Sequence, residues 1–178
     1  METLDSYWDN ICKIYFLTKH YLLLAEELSD EFDTFLQPVK EHRDAFDHIT
    51  RVYGCKFMPN KLNDVNAYRI GNMKKAIGHV YRAFFDTADW LSYICRKKIR
   101  ELLQNKSYSE ISEKYENYDD LKLMLINVPL EISNIRKQKD ISDDESVLIE
   151  EVEKYKAILD KLYNSYKDLS LIFDSIKS

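Results

Sequence analysis

The feature that most narrows the fold lies at the end of the chain. After Ser142 and Glu145, which form a capping box in SDDE, the residues Leu148, Val152, Tyr155, Leu159, Leu162, Tyr166, Leu169, Phe173 and Ile176 alternate spacings of four and three. That alternation lays one apolar stripe along a single helix of about 35 residues. Ile149, Ile158, Tyr163 and Ile172 flank the stripe where a two-stranded coiled coil would carry charges, so it is wide enough to face two neighbours. A helical bundle accounts for such a stripe better than a lone zipper does.

The rest of the chain agrees. Three glycines and three prolines in 178 residues leave little material for tight turns and argue against a many-stranded fold. The expectation is an all-α protein, a single domain over residues 1–178 built as a four- or five-helix bundle with long third and C-terminal helices. The first helix should start at an Asp5 or Ser6 cap and run to about Leu28, apolar nearly all round between Ile14 and Ala25 and therefore central. A second should run from Pro38 to Tyr53 and stop at Gly54, with Phe32, Phe35, Val39, Phe46 and Tyr53 as its apolar face. A third, capped by Asn63 or Asp64, should reach Leu103 with Ile77, Phe84, Ala88, Leu91, Cys95, Ile99 and Leu102 as its core stripe. Gly71 and Gly78 share a side of it and would let a neighbouring backbone approach closely. Residues 109–139 read as helical with a break near Pro129.

Charge and cysteine usage bound the function. A net charge of −5 disfavours a dedicated nucleic-acid surface, although the run RKKIR at 96–100 is a local basic patch that also complements the end of the third helix. Cys12, Cys55 and Cys95 are odd in number and widely spaced, which suggests reduced thiols in a cytoplasmic protein. The longest apolar stretch, at 14–25, is interrupted by Lys19 and His20 and is too short to span a bilayer, so no membrane association is expected. No spacing of metal ligands or nucleophile motif stands out, and neither a metal nor a cofactor is expected.

Two constellations carry chemistry. In EHRDAFDHITR, at 41–51, Arg43, Asp44 and His48 fit R-x4-H with an acidic residue after the arginine. This resembles the motif of the HEPN superfamily of all-α bundles, in which arginine and histidine from two protomers assemble a metal-independent ribonuclease site. The resemblance implies His48 as acid/base and Arg43 as the group that steadies the scissile phosphate, in a toxin or antiviral defence setting. Helical geometry offers a plainer reading, with Asp44, His48 and Arg51 as a solvated charge ladder on the face opposite the apolar one.

The second constellation lies on the third helix, where His79, Arg82, Asp86, Trp90 and Tyr93, followed by Lys97, occupy roughly the face opposite the core stripe. Aromatics mixed with arginine and histidine suit a protein interface, and Arg82 can pair with Asp86 at i, i+4. Alternatively the polar groups pair with the second helix, its DHITR facing the related GHVYR. The reading favoured by sequence is a protein-interaction or assembly subunit that binds a protein partner or itself. RNA enters only under the ribonuclease alternative, and DNA is not expected.

Overall fold

A computed structural model describes residues 3–30, 35–57, 63–139 and 145–173. These form six α-helices, where four or five were expected, and one short 3-10 turn: α1 (Leu4–Leu28), α2 (Leu36–Gly54) with the turn Cys55–Phe57, α3 (Val65–Leu103), α4 (Tyr108–Lys114), α5 (Tyr118–Lys139) and α6 (Glu145–Phe173). The chain divides into two compact units, Met1–Thr87 and Ala88–Ser178, with α3 contributing to both.

In the first unit α1 begins two or three residues earlier than its sequence suggested. Thr3, rather than Asp5 or Ser6, is the cap, and its hydroxyl accepts from the Ser6 backbone while Ser6 returns a bond to the cap. The helix buries Tyr7, Ile11, Ile14, Thr18, Tyr21 and Ala25, a stripe of alternating four and three, and leaves Phe16 and Leu23 exposed. It is therefore a one-sided helix and not the central one. The helix buried on several sides is α3, where Met73, Ala76, Ile77, Val80, Tyr81, Phe84 and Phe85 are all inaccessible in this unit. Thr18 is tolerated in the core because its hydroxyl donates back to the Ile14 carbonyl at 2.7 Å.

The α2 expectation is corrected more sharply. Pro38, Ala45 and Val52 form the buried face, whereas Val39, Phe46 and Tyr53, expected inside, are exposed. Small residues let α2 lie close, and the large ones are rotated outward by about one residue, or 100°. Phe32 falls outside the described residues. The glycine expectation also fails: a Cβ on Gly71 would meet nothing within 4 Å, and one on Gly78 only the Arg82 Nη1 at 3.7 Å, so no backbone packs against either.

In the second unit α3 continues to Leu103 and is stopped by Asn105, whose φ of 64° asparagine tolerates better than most residues. A capping box of Ser107 and Glu110 then starts α4. The break expected near Pro129 lies instead at residues 115–117, and α5 runs through Pro129. Pro129 is exposed, so water can serve the carbonyl it leaves without a partner.

Along α6, Val152, Tyr155, Leu159, Leu162, Leu169 and Phe173 are buried as the stripe required, with Tyr166 half-buried. Ser142 of the capping box and Ile176 lie outside the described residues. On α3, Ala88, Leu91, Cys95 and Ile99 are buried and Leu102 is half-buried. One polar knot ties three helices together. The Tyr155 hydroxyl donates to Asp89 Oδ1 at 2.5 Å, and Arg136 holds the other oxygen at 2.6 Å. Burial first, then the adjacent carboxylate, pushes the Tyr155 phenol up and keeps it a donor.

Candidate functional site

The polar residues that the sequence singled out meet between α2 and α3 in the first unit. Each helix supplies one imidazole and, seven residues away along the same face, a hydrogen-bond partner for the other helix's imidazole: Glu41 and His48 on α2, Asn72 and His79 on α3. The rungs cross in antiparallel order. His48 Nδ1 lies 3.0 Å from Asn72 Oδ1, His79 Nδ1 lies 2.8 Å from Glu41 Oε2, and the two rings stack with centroids 5.4 Å apart.

The tautomer of His48 follows from its neighbour. Asn72 donates its amide N–H to the Tyr68 carbonyl at 2.9 Å, which fixes the amide so that its oxygen faces His48. His48 therefore donates from Nδ1, and in the neutral ring Nε2 carries the lone pair, the arrangement of a base.

His79 sits between two charges. Arg82 Nε donates to Glu41 Oε2 at 2.9 Å, and Arg82 Nη2 lies 2.7 Å from the same His79 Nδ1 that faces the carboxylate. That nitrogen serves one neighbour at a time. It donates to Glu41 when protonated, or accepts from Arg82 when the proton is on Nε2. Burial pushes the Glu41 carboxyl up, but hydrogen bonds from His79 and Arg82 outweigh it and hold the group below its usual range. The adjacent His42 is pushed down by burial, against the pull of Glu41, and its ring lies 5.0 Å from Tyr15 of α1.

The remaining motif residues are placed differently. Arg43 is 72% exposed and bonds to its neighbour Asp44 through Nε and Nη2, at 2.9 and 2.7 Å. The bond from Arg43 is the first cause that holds the Asp44 carboxyl low, with the nearby His79 and His48 adding to it. Arg43 and His48 point to different parts of the helix surface, as five residues at 100° each require. The charge ladder expected of Asp44, His48 and Arg51 does not form, because His48 turns to α3 while Arg51 pairs with Asp47 at 2.5 Å. The facing of DHITR and GHVYR is what the structure displays.

On α3, Arg82 pairs across to Glu41, whereas Asp86 and Trp90 are half-buried and Tyr93 is exposed. Asp86 belongs with the first unit, and Trp90 and Tyr93 with the second. Sequence reasoning missed Glu41 and Asn72. The spacing of seven, common to Glu41 and His48 and to Asn72 and His79, was the available signal.

On the side of α2 opposite Glu41 and His48 lies an apolar surface. Leu36, Val39, Phe46 and Tyr53 project from one side of α2, followed by Phe57, and all are exposed, Phe46 at 66% and Tyr53 at 53%. Tyr15 and Phe16 of α1 adjoin it through the contact of Tyr15 with His42. Among the described residues no group of three or more His, Cys, Asp or Glu side chains is placed to hold a metal ion, and no helix is long and apolar enough to cross a membrane. Comparison with protein-family models, with curated proteins and with solved structures returned no match.

Proposed function

We propose that the chain is an assembly subunit that self-associates through the α1/α2 face of its first unit. The observation that carries this reading is the exposed stripe of Val39, Phe46 and Tyr53, large side chains spaced seven apart along α2. Contiguous apolar surface of this kind mostly marks an interface, and a seven-residue repeat suits packing against another helix, here the same helix of a second copy about a two-fold axis. Sedimentation velocity over a range of micromolar concentrations tests it. The wild-type chain is expected to dimerise, and the double variant Phe46→Ser, Tyr53→Ser to run as a monomer with an unchanged helical circular dichroism spectrum. A monomeric wild type, or a variant that dimerises as well, overturns the reading.

One observation favours a second reading, a HEPN-like metal-independent ribonuclease. Asn72 orients the His48 ring through Nδ1, which leaves Nε2 as the nitrogen with the lone pair in the neutral tautomer, and Arg43 stands exposed on the same helix. Cleavage of single-stranded RNA that survives a chelator and is lost in both His48→Ala and Arg43→Ala supports it; absence of cleavage by the wild-type dimer excludes it. A place in a toxin or antiviral system would follow from that activity alone.

A further inference from the structure

The second unit carries a cleft of about 530 Å³ between the end of α3 and the start of α5, and its lining reverses the sign of the chain's charge. Lys97, Arg100 and Lys122 line it against one carboxylate, Glu101, in a protein whose net charge is −5. Tyr93 and Tyr118 are its aromatic walls, and Tyr93 is 59% exposed.

The arrangement is ordered. Tyr93, Lys97 and Arg100 follow one another at i, i+4 and i+7, so a ring and then two cations occupy one stripe of α3 over roughly 10 Å. Opposite them, the Lys122 ammonium lies 5.3 Å from the Tyr108 ring and 5.6 Å from the Tyr118 ring, and those rings are 5.5 Å apart. Lys97 lies 3.7 Å from Glu101 and Lys122 lies 3.9 Å from Asp119, ion pairs at the surface that are worth little. Arg100 makes no ion pair among the described residues.

We propose that this cleft binds single-stranded nucleic acid, with phosphates on Lys97, Arg100 and Lys122 and a base stacked on Tyr93. Cations alone would suit any polyanion. The exposed ring, one helical turn from the first cation, is what a base requires and an acidic peptide does not, because every base has a π-face. This site shares no residue with the α2/α3 cluster and does not depend on the function proposed above.

Fluorescence anisotropy of the full chain with labelled twelve-residue oligouridylate and oligothymidylate tests the proposal. If three phosphates are neutralised, affinity should fall about twentyfold between about 50 and about 200 mM salt. Tyr93→Ala should weaken binding about tenfold with the salt dependence unchanged. Arg100→Gln should weaken it and flatten the salt dependence by about one third. Lys75→Gln, an exposed cation of α3 in the other unit, should leave binding as it was. Tighter binding of one oligonucleotide shows whether the sugar hydroxyl is read. Failure of both to bind, equal losses for Lys75→Gln and Arg100→Gln, oligonucleotide binding indifferent to Tyr93→Ala, or an oligoglutamate bound as tightly and weakened as much by Tyr93→Ala each overturn the proposal.

Discussion

Replacing Glu41 by glutamine tests whether the α2/α3 cluster is held by charge. The Glu41 side chain is 13% exposed and its Oε2 receives Arg82 and faces His79, so glutamine keeps the shape and removes the charge. Hydrogen bonds to charged groups are worth about 1.5–3 kcal/mol and neutral ones about 1. The loss should then be about 0.5–2 kcal/mol. Arg82 is 43% exposed and can be rehydrated, which places the expected value near 1 kcal/mol, or about 2–4 °C in Tm for a chain of this size. Because the Glu41 carboxyl is held below its ordinary value of 4.5, the stabilisation is fully present above that pH and is lost as pH falls through the folded value. Urea unfolding of both proteins at pH 7 and at steps down to about pH 3 should show a gap that closes on acidification. A gap of the same size at every pH, or no gap at pH 7, would refute the reasoning, since either result means that the carboxylate charge contributes nothing.

Other expectations concern the frame around the sites. Gly71→Ala should stabilise by about 0.5–1 kcal/mol, read as a higher urea midpoint, because the added Cβ meets nothing and helix entropy is recovered. Leu162→Asp should unfold the second unit or shift its melting far down, since Leu162 is fully buried on the α6 stripe, while the neighbouring exposed Lys161→Asp should be nearly silent. In the folded protein a thiol reagent should modify half-buried Cys12 well before Cys95, whose thiol is buried and pushed up to about 12; equal rates would contradict that burial.

The helical character of the chain, the long reach of α3 and the stripe of α6 were written in local patterns: few breakers, a good cap at Asp64, and apolar residues at spacings of three and four. Position on a helix face is legible in this way because the 3.6-residue period is intrinsic to the backbone. Which apolar face is buried is not intrinsic. On α2 both Pro38, Ala45, Val52 and Val39, Phe46, Tyr53 are apolar series spaced by seven, and the larger series looked like the core. The tertiary structure buried the smaller, because alanine and valine let a neighbouring helix pack closely where phenylalanine and tyrosine would hold it off. The same holds for the site. His48, His79 and Arg82 could be named from sequence, but Glu41 and Asn72 acquire their roles only when two helices 24 or more residues apart run antiparallel and bring their polar faces together.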